Sequence, residues 1–493
     1  MLTHPLLLDL TFSLPGTGNA KAALGRLLRP ARARSETLLI TYFDTQALAL
    51  GRAGMTLGVP RDGRRFVQML AREGGGTAPL ARWRNEAVIA GPEPELGRLP
   101  VYPRRLAAAM RKGVSPVFTI EAERRSWDLG GDAMLVLVLT EGSIVADGRG
   151  APLRHVEIRF AEGALDAALA LGRRLSARLP LALIAASPAM RGLALRAPAV
   201  ARQAQSGEPT LWAGMSVHAA FRLIAQDCLL RFLHEATRFH DSQPAEAVHR
   251  MRVAMRRFRT LVRFHRSLMT PEDALLLRRH VAQVFARLGE ARGWDIVLSH
   301  ADMLAKAGPD PQALAPVQAA RAAAYARVAR LLAAPGLRQG LLALFGWLAR
   351  FDGRNDAAGA VAPATLASHA ARLLSGQRKR LRAYGDIARF DAEQLHAVRI
   401  EVKRMRYACE FYGSLFPLER TSFRAYLARL SAVQLVLGRF NDLVTVQEIV
   451  ATFGQQRVRH ARKSRAAAAK LTRQLRQDSA AALRHCLKAK RFW

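Results

Sequence analysis

The sequence predicts a multidomain protein in which an α+β region dominated by antiparallel strands precedes an all-α region. Residues 1–195 contain short strand-like runs separated by Gly and Pro turns, the pattern of an antiparallel sheet. From Leu211 onward, apolar residues recur almost throughout at the 3.6-residue spacing of helices. The chain of 493 residues is also too long for one hydrophobic core, so two or three domains are expected.

The α+β region is predicted from its clearest strands and helices. Strands are expected at Leu38–Phe43, Arg65–Leu70, Ala133–Thr140 and His155–Phe160, and helices near Ala20–Leu28 and Ala164–Leu179. The segment 196–210 has lost both periodicities, so we predict a linker there. The sequence therefore places the domain boundaries at 1–195 and 211–493.

The all-α region is predicted to be a duplicated helical bundle. Its long amphipathic segments are Val217–Phe239, Ala245–Met269, Leu275–Leu288, Pro316–Leu332, Leu337–Ala349 and Ala392–Leu415. A stretch that carries Gly and Asp, 352–363, separates two pseudo-repeats at about 211–351 and 364–493.

Two basic helices with the same pattern occur 147 residues apart. Counting from the histidine that opens each copy, cations stand at +3, +7, +8 and +10. At 100° per residue, positions 0, +3, +7 and +10 form a stripe about 80° wide, and apolar residues occupy the opposite side. The residues are His249, Arg252, Arg256, Arg257 and Arg259 in the first copy and His396, Arg399, Lys403, Arg404 and Arg406 in the second. Each copy is therefore predicted to have a packed back and a cationic front.

The repeated cations favour an anion-binding site over an ordinary solvated helix face. Without acidic partners at i±4 on the front, repulsion among the cations would be uncompensated unless an anion is bound. His249 and His396 can be read as ligands that donate to phosphate oxygens when protonated, or as core histidines bonded to a neighbouring helix. No nucleophile or carboxylate repeats beside them, which argues against catalysis.

Two further basic segments are open to two interpretations each. The run Arg378, Lys379, Arg380 and Arg382 lies just upstream of the second copy. It is either a solvated charge run or an extension of the anion-binding groove. The Ala-rich segment 457–476 is either a solvated helix or a second anion-binding arm.

Composition points to an anionic partner in a reducing compartment. The net charge is +36, of which residues 1–200 carry +10 and the remainder +26. Cys228, Cys409 and Cys486 have no metal or redox spacing and are predicted to be buried free thiols. We find no signal-peptide pattern and no apolar run near the roughly 20 residues of a membrane span, so a cytoplasmic protein without a membrane partner is expected.

The helical region resembles the CHAD family, the conserved-histidine α-helical domains, over about residues 211–493. The resemblance is carried by the two histidine helices and by a Leu-Gly pair after each. The pairs are Leu288-Gly289, followed by Asp295, and Leu437-Gly438, followed by Asp442. We interpret the two aspartates as polar anchors at helix ends. The resemblance implies a pseudo-twofold bundle whose histidine helices line a basic channel that binds inorganic polyphosphate.

Residues 1–195 resemble the CYTH family of triphosphate-tunnel enzymes, through segments such as Tyr42-Phe43-Asp44-Thr45 and Arg64–Leu70. The family builds a closed antiparallel barrel whose carboxylates bind Mg²⁺ or Mn²⁺ and whose Arg and Lys bind triphosphate. This chain departs from the family at Leu7, Thr11, Gly58, Pro60, Ala71, His155, Arg159 and Pro188. Asp9 and Glu157 alone would hold Mg²⁺ poorly, because hard cations need several converging oxygen ligands. A degenerate tunnel is therefore expected.

Three functions are in competition at this stage. The leading hypothesis is a protein that binds inorganic polyphosphate through its helical bundle and associates with polyphosphate granules, with no catalytic residue, metal or cofactor. The alternative is an inorganic triphosphatase acting in the N-terminal tunnel, and only then would Mg²⁺ or Mn²⁺ be required. The third is non-specific nucleic-acid binding. The positive charge of the chain suits it, but the sequence lacks a groove-entering motif and the exposed aromatic residues expected for base stacking.

Overall fold

A computed structural model describes residues 8–14, 20–28, 31–62, 65–72, 83–99, 104–130, 135–206, 209–305, 315–351, 365–453 and 461–493. The strands of the first region are β1 (Leu8–Ser13), β2 (Ala33–Asp44), β3 (Met55–Asp62), β4 (Arg65–Arg72), β5 (Trp83–Ile89), β6 (Ser115–Asp128), β7 (Val136–Ala146), β8 (Arg149–Phe160) and β9 (Ala182–Leu183). Its helices are α1 (Ala20–Leu27), α2 (Ala49–Arg52), α3 (Arg104–Met110), α4 (Leu165–Arg178), α5 (Pro188–Arg196) and α6 (Pro198–Ser206).

The strands form one antiparallel sheet in the order β5-β4-β3-β2-β6-β7-β8-β1-β9, which confirms the predicted fold class. The sheet curls, since strands β2 to β8 all contribute side chains to one internal cavity. No hydrogen-bonded pair joins β5 to β9 within the described residues, so closure of the barrel is not seen there.

Three of the predicted strands lie within β2, β4 and β8. Of the fourth, Ala133–Thr140, the residues from Val136 onward lie in β7, and Ala133 and Met134 are outside the described residues. The segment predicted as a linker contains the helix α6, which the sequence periodicity missed. Pro198 supplies the φ angle suited to the first residue of a helix. Val200 and Ala201 then bury their side chains in a core cluster. Tertiary packing therefore decides the structure of a segment too short to show a periodicity.

The second region is helical, as predicted, apart from short 3₁₀ turns. Its helices are α7 (Val217–Ser242), α8 (Ala245–Phe264), α9 (Pro271–Ala305), α10 (Ala315–Ala333), α11 (Pro335–Arg350), α12 (Leu366–Arg382), α13 (Ala392–Tyr412), α14 (Arg420–Phe453) and α15 (Ala461–Leu487). The predicted divider 352–363 lies outside the described residues.

The interpretation of Asp295 and Asp442 as helix-end anchors is wrong, because both residues lie inside the long helices α9 and α14. The carboxylate of Asp295 is buried and accepts hydrogen bonds from Nε of Arg321 and the hydroxyl of Tyr325, each at 2.8 Å. It therefore joins α9 to α10 from mid-helix. Gly289 does not end α9. Glycine inside a helix costs about 1 kcal/mol relative to alanine, and the burial of neighbours such as Leu288 outweighs that cost.

The largest hydrophobic core runs from the sheet region into the helical region. It contains Phe12 and Leu169 from one side and Leu342 and Phe345 from the other, all of them buried. Helix α4 packs against α11, and a Cβ added at Gly346 would stand 2.6 Å from Cδ1 of Leu169. The two regions are therefore held together by shared packing.

Among the described residues, no single helix is both long and apolar enough to cross a membrane. Helices α10 and α11 pass this test only as a pair, and they bend by 56° where they meet.

The shared core leads us to expect that the two regions unfold together. Leu342→Ala, which empties a fully buried position at the junction, should lower the free energy of unfolding by about 2–5 kcal/mol. The urea concentration at the midpoint of unfolding should fall to the same extent whether unfolding is followed by far-UV circular dichroism or by tryptophan fluorescence. Two separate transitions, only one of which moves, would contradict this packing.

Candidate anion-binding cleft and N-terminal cavity

The two histidine helices, α8 and α13, run side by side in the same direction. Along their length, positions that are equivalent in the two copies lie close together. Arg252 and Arg399 repel each other, as do Arg256 and Lys403. At the far end, the hydroxyl of Tyr412 lies 2.8 Å from Nε2 of His265, its counterpart in the first copy.

The facing helices form two sides of a cavity of about 1260 Å³, the cationic cleft. Helix α9 supplies a third, largely apolar wall that includes Leu275, Val281 and Phe285. The basic residues that line the cleft are Arg252, Arg256, Arg259, Arg263, Arg266, Arg278, His396, Arg399, Lys403 and Arg404. None of the described residues lining the cleft is acidic. The cleft therefore concentrates positive charge against an apolar wall.

This crowding changes the ionisation of the central side chains. Burial, followed by the charges of Arg256 and Arg399, lowers the pKa of Lys403 to about 6. Burial and Arg256 likewise lower the pKa of Arg252 to about 10. A bound anion would replace lost hydration and oppose the repulsion, so it would favour the charged forms. The fold therefore holds these like charges together at an electrostatic cost.

Two arginines of α8 are held in place by stacking on an aromatic ring of α9. The guanidinium carbon of Arg259 lies 4.3 Å from the ring centroid of Phe285, and that of Arg252 lies 4.8 Å from it. Cation–π contacts of this kind are worth about 0.5–2 kcal/mol. They fix the donors without neutralising their charge, so the donors stay available to an anion.

The histidines occupy different environments. His396 lines the cleft, and its Nδ1 lies 2.9 Å from Oδ1 of Asn441. A ligand in the cleft would therefore meet Nε2. His249 is half-buried and is not among the residues that line the cleft. Burial, together with the nearby Arg292, lowers the pKa of His249.

Two predicted cations, Arg257 and Arg406, lie outside the cleft. Arg257 is buried and pairs with Glu410 of α13. Its counterpart Arg404, also at +8, does line the cleft and pairs with Glu401, so the offset alone does not decide where this side chain goes. Arg406 donates from Nε to Glu410 at 2.7 Å and from Nη1 to Gln434 at 2.9 Å. Both were predicted to bind the anion, and the structure corrects this: they share the single carboxylate of Glu410 outside the cleft.

The basic run upstream of α13 belongs to α12, and its side chains reach different surroundings. Arg378 is buried and donates to the backbone carbonyls of Leu487 at 2.5 Å and Ala489 at 3.1 Å, so its role is structural. Lys379 and Arg382 are exposed and line neither the cleft nor a second pocket beside it. Arg380 does line that second pocket, which has a volume of about 490 Å³ and shares Arg263 and Arg266 with the cleft.

Arg263, Arg266 and Arg278 were missed by the sequence analysis. Arg263 stands at +14, inside the stripe that begins at His249, so helical periodicity alone could have found it. Comparison of the two repeats hid it, because its counterpart in the second copy is Glu410. Arg278 comes from α9, and no local pattern signals its approach.

The cavity inside the N-terminal sheet, the N-terminal cavity, has a volume of about 140 Å³. Five positions at which the tunnel family would be expected to carry charge or metal ligands do line it: Pro60, Ala71, His155, Arg159 and Pro188. Oε1 of Glu157 lies 3.2 Å from Nε2 of His155, and Oε2 accepts from Nη2 of Arg159 at 2.7 Å. No group of three or more metal-ligating side chains occurs among the described residues. The donor set does not fit Mg²⁺ or Mn²⁺.

The three cysteines are buried free thiols, as predicted. Burial raises the pKa of Cys486 to about 11 and also raises that of Cys409. Both thiols are therefore protonated and unreactive at neutral pH.

The family model of the CHAD domain matches residues 223–451, which include both histidine helices. This region is a CHAD domain, and it follows an N-terminal antiparallel sheet domain.

Several solved structures are similar to parts of this chain. The CHAD domain from the plant Ricinus communis is 27% identical, with a TM-score of 0.46, and the match covers 58% of this chain and 96% of that one. PptA from Streptomyces chartreusis is 18% identical, with a TM-score of 0.39, over 56% and 98% of the two chains. A putative adenylyl cyclase from Hippeastrum, reported to have a dominant triphosphatase activity, is 16% identical, with a TM-score of 0.28, over 39% and 98%. No curated protein matches the chain.

The crowded cleft leads us to expect that Lys403 loses its proton near pH 6 in the ligand-free protein. Among the neighbouring charges, Arg256 lowers the pKa of Lys403 most, so Arg256→Gln should raise that pKa. The pH dependence of the Lys403 ¹³Cε chemical shift measures the pKa of Lys403 in the parent protein and in the variant. A titration near pH 10 in the parent protein would show that the cleft is more hydrated than its geometry indicates.

Proposed function

We propose that this protein binds inorganic polyphosphate in the cationic cleft. The observation that carries the proposal is the set of cations on two parallel helices, with no acidic residue among the described lining. A linear polyanion can contact both helices at once, because equivalent cations face each other along their length. Membership of residues 223–451 in the CHAD family supports the same ligand.

The gain on binding comes largely from released counterions. Polyphosphate carries roughly one negative charge per phosphate, and cations that replace its counterions gain affinity that falls as salt rises. Arginine guanidinium groups add directional contacts to phosphate oxygens. Relief of the repulsion that lowers the pKa of Lys403 adds to the driving force.

The cleft is better suited to polyphosphate than to nucleic acid. Single-stranded binders stack bases on exposed aromatic rings. The ring of Phe285 is covered by Arg252 and Arg259, and Tyr407 is buried. Bases would therefore find no free aromatic platform among the described lining residues, whereas phosphates would find the cations.

We further propose that the protein associates with polyphosphate granules, because an open cleft can engage a segment of a long chain without needing its end. Co-sedimentation with polyphosphate granules, compared between the parent protein and Arg252→Gln/Arg256→Gln, tests this step. Equal recovery of both proteins would contradict it.

Titration of the full chain with long polyphosphate, tripolyphosphate and DNA over a range of salt tests the ligand. Long polyphosphate should bind most tightly, with log K falling linearly with log salt. Equal affinity for DNA and polyphosphate at physiological salt would favour the nucleic-acid alternative.

The two helices should contribute to a single site. Replacing Arg252, Arg256 and Arg259 with Gln should weaken polyphosphate binding by a few kcal/mol, at roughly 1–3 kcal/mol per charge-assisted contact. Replacing Arg399 and Lys403 with Gln should weaken polyphosphate binding by a similar amount per residue. Calorimetry measures both affinities. If the replacements on α8 left the affinity unchanged while those on α13 lowered it, a shared cleft would be ruled out.

Arg406→Gln is the matched control for those variants. It removes one positive charge from α13, the helix of Arg399 and Lys403, but its side chain contacts Glu410 and Gln434 instead of the cleft. Affinity for polyphosphate should change by less than about threefold, since only a screened, distant charge is lost.

The alternative, an inorganic triphosphatase in the N-terminal cavity, is disfavoured by the engagement of Glu157. Both of its oxygens already contact His155 and Arg159. We expect no release of phosphate from tripolyphosphate above background with Mg²⁺ or Mn²⁺. Metal-dependent turnover that Glu157→Ala abolishes would restore the alternative.

A further inference from the structure

The N-terminal cavity is walled mainly by apolar side chains. Leu38, Ile40, Met69, Ile120 and Leu153 line it, together with prolines and alanines from β3, β4 and α5. An apolar cavity of roughly 150 Å³ is large enough to hold benzene. A space of about 140 Å³ therefore fits a molecule with the bulk of a six-membered ring.

One side of the cavity is polar and largely buried. Glu157 and His155 are 5% and 2% exposed, and Thr140 beside them is 3% exposed. The contacts of Glu157 with His155 and Arg159 pair its charge inside the protein. This carboxylate is therefore a poor ligand for a metal ion, but it positions the two groups that surround it.

Two polar atoms on this side have no hydrogen-bond partner in the protein. They are Nδ1 of His155 and Nε of Arg124. Arg124 does pair through Nη1 with Glu36 at 3.1 Å, but Glu36 is more than half exposed, which weakens the pair. Buried polar groups without partners cost about 1–3 kcal/mol each, so their presence beside an apolar cavity indicates a missing partner.

The charge around the cavity distinguishes between anions. Arg124 and Arg159 lie close enough to repel each other, and Glu157 and Glu36 offset part of that charge. Glu86, a second carboxylate of the lining, leaves the cavity without a surplus of positive charge for a polyanion. Tripolyphosphate would bring several negative charges into a space with apolar walls, with no metal cluster among the described residues to balance them. A single carboxylate needs only one guanidinium and one further donor.

We propose that the N-terminal cavity binds a small organic carboxylate. Its apolar body, about the size of a benzene ring, occupies the space between β2, β4 and β6. Its carboxylate accepts hydrogen bonds from Arg124 on the polar side, next to His155. This site takes a different class of ligand from the cationic cleft, and it requires no metal ion.

Calorimetric titration of the full chain with benzoate, benzyl alcohol and tripolyphosphate tests the proposal, with metal chelated throughout. Benzoate should bind at least tenfold more tightly than benzyl alcohol, which has similar bulk but no charge. Arg124→Gln should weaken benzoate binding about tenfold. Ala71→Leu, which fills the cavity from β4, should abolish it.

The cationic cleft also has an apolar wall, so a control must exclude benzoate binding there. Arg256→Gln, inside the cleft, should leave benzoate affinity unchanged, whereas Ala71→Leu should leave polyphosphate affinity unchanged and so report correct folding. Benzoate binding that survives both Ala71→Leu and Arg124→Gln would overturn the proposal. Equal affinity for benzyl alcohol, or displacement of benzoate from the cavity by tripolyphosphate, would overturn it as well.

Discussion

The structure depends on one constraint, which is that burying the backs of α8 and α13 forces their cationic fronts together. Met251, Met255 and Phe258 on one helix and Val398 and Met405 on the other are essentially inaccessible to water. Because a helix fixes the angle between front and back, burial of these residues leaves the arginines no route away from each other. Hydrophobic packing thus supplies the free energy that holds like charges in one cleft.

The rest of the molecule limits this cost to the cleft. Glu410 pairs with both Arg257 and Arg406 on the flank, and Arg378 donates hydrogen bonds to the carbonyls of Leu487 and Ala489. The N-terminal sheet and the helical region share one hydrophobic core. The internal cavity of the sheet has mainly apolar walls beside a few paired charges, so the two regions offer different chemistries to ligands.

The sequence predicted the order of the two regions and the central cations, because those depend on periodicity and repetition within single helices. It predicted that Arg257 and Arg406 bind the anion, since it could not show that both would pair with Glu410. It missed Arg278 and the stacking on Phe285, which depend on how α9 crosses α8. It also missed α6, whose burial depends on contacts with residues far away in the chain.

The central claim is that a polyanion completes a cationic cluster that is strained without it. Lys403, whose pKa is lowered to about 6, is largely uncharged in the free protein at pH 7.5, and a bound polyanion raises that pKa. Calorimetry in buffers of different ionisation enthalpy should therefore show that binding of long-chain polyphosphate takes up close to one proton at pH 7.5. Lys403→Arg, which stays charged, should bind with almost no proton uptake. Polyphosphate binding without proton uptake in the parent protein, or equal uptake in both proteins, would contradict the claim.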